Sequence, residues 1–255
     1  MDRNSNAGAS LELSHITKKF QIMSETSSLQ TVLDDITFSL SSGSCTLIGG
    51  ANGSGKSVLM SIISGLVKPT SGTVRLVCND KRADAGLVFQ DADAQILGET
   101  PLEDVLFGLF NIGLKKQEAE QIAHKSLASV GLEEKALYPA RFLSGGEKRR
   151  LAAAGIIAMN RPLVIFDEPY ANLDYTGIRQ VNALISLLKK EGRTIIILTH
   201  ELEKSLALCS RFIILYHGRK VFDGTPEQGI QLPLEQWDIH NPLTTYTSVG
   251  DLVWR

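Results

Sequence analysis

The sequence predicts an α/β fold with a buried parallel sheet, an antiparallel β-subdomain and an inserted helical subdomain. Three observations carry this prediction. A glycine-rich loop at 50–57 stands between an apolar strand at 45–49 and an apolar helix. Short apolar runs at 163–166 and 194–198 are typical of strands buried in a parallel sheet. Residues 91–160 have helical spacing and no strand pattern, so they are expected to form the helical insert.

The composition is that of an ordinary globular protein. The chain has 255 residues, of which 43% are hydrophobic and 21% are charged, and its formal net charge is −2. This charge gives no electrostatic reason to expect nucleic acid or an anionic membrane as the main partner. The scattered Cys45, Cys78 and Cys209 show neither metal-ligand nor disulfide spacing and suit a reducing compartment. No apolar run approaches the roughly 20 residues that span a bilayer, so a membrane role would require other subunits.

The first ninety residues predict the antiparallel β-subdomain. Residues 1–10 are polar, lack the apolar core of a signal peptide and are expected to be a frayed terminus. A polar stretch at 23–31 is expected to be a loop. Strands of this subdomain are expected at 11–20, 32–40, 73–78 and 86–89. The main domain is expected to cover 11–226, followed by a proline-punctuated C-terminal extension at 227–255.

The glycine-rich loop has the residue types that bind nucleotide phosphates. Its glycines let backbone N–H groups turn inward around a phosphate, because no Cβ stands in the way. Lys56 supplies a mobile cation for the outer phosphates, and the Ser57 hydroxyl can ligate Mg²⁺. The alternative is a glycine-rich surface turn, which the flanking strand and helix disfavour. The predicted phosphate-binding residues are Gly50, Ala51, Asn52, Gly53, Ser54, Gly55, Lys56, Ser57 and Val58.

Two adjacent carboxylates, Asp167 and Glu168, follow the apolar run at 163–166. This position is the carboxyl edge of the predicted sheet, where open α/β sheets place their ligands. Adjacent side chains at a strand end point to different sides, so the two groups can have separate roles. One is expected on the Mg²⁺ side beside Ser57, and the other is expected to face an attacking water. The alternative is a solvated acidic turn.

Three further features have both a functional and a structural interpretation. His200 follows the strand at 194–198 and is either a sensor of the γ-phosphate or a structural histidine. Phe20 either packs in the core or stacks on a purine. Residues 144–147 open a helix, and they form either an ordinary helix cap or a second anion-binding helix end. From these four residues alone, capping is the simpler interpretation.

Taken together, these motifs resemble the nucleotide-binding ATPases of ABC transporters. Gly50–Ser57 resembles the Walker A motif, Leu143–Glu147 the ABC signature, and Leu163–Glu168 the Walker B motif with its catalytic glutamate. The remaining motifs are Gln90 for the Q-loop, Ala171–Asp174 for the D-loop, His200 for the switch histidine and Phe20 for the A-loop aromatic. The match runs in the family's order from about residue 11 to 226. It implies a P-loop NTPase of the ABC type that uses ATP and Mg²⁺.

The resemblance also implies a role for each site residue. Ser57, Asp167 and Gln90 would hold Mg²⁺. The catalytic residues would be Glu168, which polarises the attacking water, with His200 at the γ-phosphate and Gln90. Two subunits would pair head to tail, so that the signature of each caps the ATP of the other. The nucleotide-binding residues outside the Walker A loop would then be Phe20, Ser144, Gly145, Gly146 and Asp174.

Residues 90–97 and 103–113 narrow the resemblance to the energy-coupling factor (ECF) ATPases, which drive uptake of cobalt, nickel, biotin and other vitamins. The sequence departs from the usual pattern at Glu147, where glutamine is usual, at Ala92, where proline is common, and at Tyr170, where threonine is common. Glu147 keeps a hydrogen-bonding side chain but adds negative charge near ATP.

The ECF resemblance implies a peripheral subunit on the cytoplasmic face of the cell membrane. Its partners would be a transmembrane coupling subunit, a substrate-binding membrane subunit and a second ATPase, either identical or paralogous. The alternatives are a soluble ABC ATPase acting on nucleic acid or the ribosome, which usually carries a second ATPase domain or basic extensions, and a small P-loop kinase or GTPase, which would lack the signature. The expected docking surface for a partner helix consists of Ile96, Leu97, Leu102, Val105, Leu106 and Phe107.

Overall fold

A computed structural model describes residues 8–22, 28–91 and 93–248 of the chain. The Ala92 departure, residues 1–7 of the expected frayed terminus and residues 23–27 of the expected loop lie outside this described part. The strands are β1 (Ser10–Ile22), β2 (Ser28–Leu40), β3 (Cys45–Gly49), β4 (Ser71–Cys78), β5 (Lys81–Arg82), β6 (Ala85–Val88), β7 (Leu163–Asp167), β8 (Thr194–Thr199), β9 (Arg211–Tyr216) and β10 (Arg219–Gly224). The α-helices are α1 (Lys56–Ile63), α2 (Pro101–Asn111), α3 (Lys116–Ser129), α4 (Gly145–Ala158), α5 (Tyr175–Lys190) and α6 (Pro226–Gly229).

The centre of the fold is a six-stranded sheet in the order β10-β9-β3-β8-β7-β6. All neighbours in it are parallel except β9 and β10, which form a hairpin. Every residue of β3, β7 and β8 is buried. Strands buried on both faces need continuous apolar runs, which explains the runs seen in the sequence. The predicted parallel sheet is confirmed.

Two hydrophobic cores lie on the two faces of this sheet. Leu47, Val164 and Phe166 belong to the core that includes the buried residues of α3, α4 and α5. Ile48 and Ile165 belong to the other core, which includes α1 and the first strands of the chain. Successive residues of one strand point to opposite faces, so each central strand contributes to both cores. The central strands are held between these two cores, and the phosphate loop and the carboxylates lie at their carboxyl ends.

A second sheet is antiparallel and has the order β2-β1-β4-β5. It contains the strands predicted at 11–20, 32–40 and 73–78. The strand predicted at 86–89 was assigned to this sheet wrongly, because β6 pairs in parallel with β7 in the central sheet. A Cβ on Gly86 would lie 2.5 Å from the Cγ2 of Ile156 in α4, so this strand packs closely under the helical layer. A short apolar run carries no information about its partner strand, which is why the sequence pattern did not reveal the correct sheet.

The helical insert contains α2, α3 and α4 and has no strand within its described residues. Thr100 caps α2 by accepting a hydrogen bond from the N–H of Glu103, and Pro101 occupies the first helical position, where its missing N–H costs nothing. Helix α4 is buried on several sides, because it packs against α2, α3 and α5 as well as the sheet. Its charged residue Arg149 is buried along with its alanines.

Residues on both sides of the main domain pack onto it. Residues 8–10 were expected to be frayed, but Ala9 is buried and its N–H donates to the carbonyl of Pro162. The expected loop at 23–31 is shorter than predicted, because β2 already begins at Ser28. After residue 226, Leu234 and Ile239 are buried in the core that includes α4. Among the described helices, none is long and apolar enough to cross a membrane.

Candidate functional site

The phosphate loop joins β3 to α1 at the carboxyl edge of the central sheet. Gly55 has a φ of 104° and a Cβ there would lie 2.7 Å from Leu33 Cδ2, so only glycine fits this position without strain. No side chain caps the N-terminus of α1, which leaves its first N–H groups available to an anion. The Ser54 hydroxyl is buried, and no partner for it lies among the described residues. The loop therefore presents donors to a ligand.

Lys56 is the first residue of α1, and its side chain is only 6% exposed. Its Nζ donates to the carbonyls of Gly50 at 2.7 Å and Ala51 at 3.1 Å. The same Nζ lies 3.4 Å from Glu168 Oε1. The ammonium is thus held across the loop, where a phosphate group can replace the Glu168 carboxylate as its ionic partner.

Glu168 lies just beyond β7 in a left-handed conformation, with a φ of 43°. Its N–H donates to the carbonyl of Leu198 at 2.8 Å, which ties the turn to β8. Its Oε1 forms an ion pair with Lys56 Nζ and lies 3.1 Å from Nδ1 of His200, whereas its buried Oε2 has no partner in the described part of the chain. One oxygen orients the carboxylate, and the other is free to accept a proton or a hydrogen bond from water.

Asp167 is the last residue of β7 and is buried. Burial raises the pKa of its carboxyl group, while a hydrogen bond from the Ser57 hydroxyl acts in the opposite direction. Its Oδ1 has no hydrogen-bond partner among the described residues. The two adjacent carboxylates therefore have separate partners, as expected, but Glu168 achieves this by leaving the strand rather than by alternating on it.

These residues fit a hard divalent cation. A buried carboxylate oxygen without a partner, beside a serine hydroxyl, is the kind of oxygen donor set that Mg²⁺ prefers. In the described part of the chain, no group of three or more His, Cys, Asp or Glu side chains could hold a metal ion. Mg²⁺ sites of this sparse kind complete their coordination with substrate phosphates and water.

The signature segment begins α4 with two reciprocal hydrogen bonds. The N–H of Glu147 donates to Ser144 Oγ at 3.3 Å, and the N–H of Ser144 donates to Glu147 Oε2 at 2.9 Å. The other oxygen, Oε1, accepts from Lys135 Nζ at 2.6 Å. Lys135 is the main cause of a lowered pKa at Glu147. The extra negative charge at this position is thus paired locally, by a lysine that the sequence pattern did not single out.

The predicted residues Gln90, Asp174 and Phe20 have contacts of their own. Gln90 is exposed and, with Gly145, lines a separate cavity of about 430 Å³ between the start of α4 and the loop after β6. Asp174 Oδ1 caps α5 by accepting from the N–H of Gly177 at 2.7 Å. Phe20 is exposed on β1, with Lys18 Nζ 4.9 Å from its ring centroid. A single chain therefore brings together Lys56, Ser57, Asp167, Glu168 and His200.

Comparisons with known proteins agree with this arrangement. The ABC transporter family model matches residues 33–171. An energy-coupling factor transporter ATP-binding protein of Methanocaldococcus jannaschii is 38% identical over 207 residues, which cover 77% of this chain and 74% of that protein.

Solved structures give the same result. CbiO1 of Clostridium perfringens, described as part of the transporter complex cbiONQ, superposes with a TM-score of 0.74 at 30% identity, covering 87% of this chain and 90% of CbiO1. A dimeric ATP-binding cassette, MJ0796, in a post-hydrolysis state bound to ADP and Pi, has a TM-score of 0.73 at 26% identity and covers 85% of this chain and 98% of that one. The chain therefore belongs to the ATP-binding subunits of ABC transporters, within the energy-coupling factor group.

Proposed function

We propose that this chain is the Mg²⁺-dependent ATPase of an ECF importer, which drives uptake of a metal ion such as cobalt or nickel, or of a vitamin, through separate membrane subunits. The observation that carries the proposal is the Lys56–Glu168–His200 cluster beside the phosphate loop and the buried Asp167. The domain at 11–226 would carry the ATPase, and within the described part of the extension Leu234 and Ile239 are buried in its core.

ATP hydrolysis at this site is a matter of positioning and charge neutralisation. The N–H groups of the loop and of α1 would bind the phosphates, with Lys56 moving from Glu168 to the outer phosphates. Glu168 Oε2 would then accept a hydrogen bond from the attacking water, while His200 holds Oε1 and reaches the γ-phosphate. Bound Mg²⁺, held by Ser57 and Asp167 with Gln90, would offset the charge that develops on the phosphates.

A head-to-tail dimer explains the separate position of the signature. Residues 144–146 lie at the N-terminus of α4, where a helix end would attract an anion, and Gly145 lines the same cavity as Gln90. In a homodimer, or a heterodimer with a paralogue, Ser144, Gly145 and Gly146 of one subunit would cap the ATP of the other, with Asp174 at the same interface and Phe20 against the purine. The dimeric state of the related cassette MJ0796 supports this proposal.

The proposed Mg²⁺ role predicts a change in stability as well as in activity. Asp167→Asn removes a buried carboxylate that lacks a full set of partners, so the nucleotide-free protein should gain roughly 1 kcal/mol in its free energy of unfolding. The same variant should lose most of the Mg²⁺ dependence of ATP binding, which nucleotide titration with and without Mg²⁺ measures.

A matched control is Asp223→Asn in β10. Asp223 is paired with Arg211 Nε at 2.8 Å and Lys220 Nζ at 2.7 Å, so its neutralisation should lower stability instead. If the Asp167→Asn protein is less stable than the parent and its ATP binding still depends on Mg²⁺, Asp167 does not hold the metal ion.

The surface proposed to dock a membrane subunit is narrower than the sequence suggested. Val105 is fully buried, and Ile96, Leu102 and Leu106 pack against the core of the insert. The side chains left exposed are those of Leu97 and Phe107. Exposed apolar side chains near Gln90 would let a cytoplasmic helix of the transmembrane coupling subunit report on the nucleotide state. The chain would then sit peripherally on the cytoplasmic face of the membrane.

Leu97→Asp is expected to abolish association with the membrane subunits while leaving ATP binding intact. Leu97 is 69% exposed, so the added charge should change the free energy of unfolding by less than about 0.5 kcal/mol. Leu66→Asp is a matched control, because Leu66 is 64% exposed and lies after α1, outside the proposed surface. Co-purification with membrane subunits tests the loss of association, and nucleotide titration tests whether ATP binding is retained. Retained association of the Leu97→Asp protein would exclude this surface.

A further inference from the structure

Arg149 lies in the second turn of α4, and it is only 6% exposed. Its Nη2 donates to two backbone carbonyls, that of Ala171 at 2.6 Å and that of Gln90 at 3.3 Å. Its Nη1 is the atom nearest to where a Cβ on Gly145 would lie, at 3.9 Å. One guanidinium group of the signature helix thus contacts both the segment after β6 and the loop after β7.

Burial of the Arg149 guanidinium costs solvation free energy. Among the described residues, no carboxylate forms an ion pair with Arg149, and its buried Nε has no hydrogen-bond partner. Burial lowers the pKa of Arg149, and the Asp91 carboxylate only partly opposes this effect. A buried charge without a paired counter-charge contributes little net stability. The two hydrogen bonds to carbonyls from different loops are therefore the interactions that hold this buried guanidinium in place.

The loop that receives the shorter hydrogen bond is strained. Ala171 stands between two non-glycine residues in the left-handed region, Glu168 with a φ of 43° and Asn172 with a φ of 58°. Such conformations persist only where the surroundings hold them. Two local turns help, because the N–H of Ala171 donates to the carbonyl of Glu168 at 3.3 Å and that of Leu173 to the carbonyl of Tyr170 at 3.2 Å. From outside the loop, the carbonyl of Leu198 in β8 accepts from the N–H of Glu168, and Arg149 of α4 holds the carbonyl of Ala171.

The second hydrogen bond of Arg149 goes to the segment that follows β6. Arg149 holds the carbonyl of Gln90, and its neighbour Lys148 pairs with Asp93 of the same segment. Asp91 Oδ1 in turn accepts from the N–H of Asp93 at 3.0 Å. These residues, with Gly145 and Asn172, surround the cavity of about 430 Å³. The start of α4 is therefore hydrogen-bonded to the segment after β6 and to the loop after β7, and all three line this cavity.

We propose that Arg149 is a positioning residue that joins the Gln90 segment and the Glu168–Asp174 loop to the start of the signature helix. A displacement of any one of the three is then transmitted to the other two. Arginine suits this position, because its planar fork of donors can hold two carbonyls from different loops at once. The inference rests on the functions proposed for Gln90 and Glu168, and it assigns to Arg149 no contact with ATP.

The test is steady-state ATPase kinetics of the full-length Arg149→Lys and Arg149→Ala proteins, with nucleotide titration and thermal unfolding in parallel. A displaced Glu168 should lower kcat by about ten- to a hundredfold, since small misplacements of catalytic groups have effects of this size. The KM for ATP should stay within roughly threefold of the parent, because the phosphate loop is untouched. Free guanidinium, at concentrations too low to unfold the protein, should restore part of the kcat of Arg149→Ala.

Arg193 provides the matched control. It is 4% exposed, and its Nη1 donates to the carbonyl of Arg161 at 2.6 Å, but it lies at the start of β8, away from the site. Arg193→Lys and Arg193→Ala should lower thermal stability without a selective fall in kcat and without guanidinium rescue. The proposal is wrong if both Arg149 variants keep the parent kcat. It is also wrong if their fall in kcat is no larger than that of Arg193 variants with the same thermal stability. An inactive parent protein would instead overturn the proposed ATPase site.

Discussion

Glu168→Gln is expected to lower the kcat for ATP hydrolysis by about 10²–10⁴-fold, the range for loss of a general base. Glutamine keeps the shape of the side chain but cannot take a proton from the water that the free Oε2 would receive. ATP binding should be preserved or slightly tightened. The reason is that the variant also removes the anion that holds Lys56 at 3.4 Å, so the ammonium is released to the phosphates.

Phosphate release at saturating ATP, nucleotide titration and size-exclusion chromatography together test this expectation. The variant should accumulate as an ATP-bound dimer, because hydrolysis is the step proposed to separate the subunits. Glu191→Gln is the control, since Glu191 pairs with Arg193 away from the site. A Glu168→Gln protein that hydrolyses ATP at the parent rate would show that another group activates the water.

The parts of the site that are local in sequence were predictable. Loop 50–57 follows one strand end, and Asp167 and His200 follow two others. Parallel strands end at a common edge, so these residues had to meet once the sheet was parallel. The contacts of Glu168 with His200 and Lys56 follow from this geometry.

The parts that depend on distant packing were not predictable. The pairing of β6 with β7 joins residues far apart in the sequence, such as Ala85 and Leu163, and no local pattern encodes it. The left-handed turn at Glu168 depends on its hydrogen bond to Leu198, again a distant residue. Lys135 and Arg149 were missed for the same reason, since a basic side chain in a charged run reveals nothing about which carboxylate or carbonyl it will reach.

Lys56→Ala should affect the site in a different way, by weakening ATP binding itself. A charge-assisted hydrogen bond to phosphate contributes roughly 1.5–3 kcal/mol, so the Kd should rise about ten- to a hundredfold. The variant also leaves Glu168 buried without its cation, and the loss of one partner of a buried pair lowers stability. The fall in affinity could therefore reflect a damaged fold.

The double variant Lys56→Ala/Glu168→Gln separates these two effects. Removing the charge of Glu168 removes the stranded carboxylate, so most of the lost thermal stability should return. The affinity for ATP should stay weak, because the missing ammonium is not replaced. If the second substitution restored ATP binding together with stability, Lys56 would act through the fold of the site rather than by binding the phosphates.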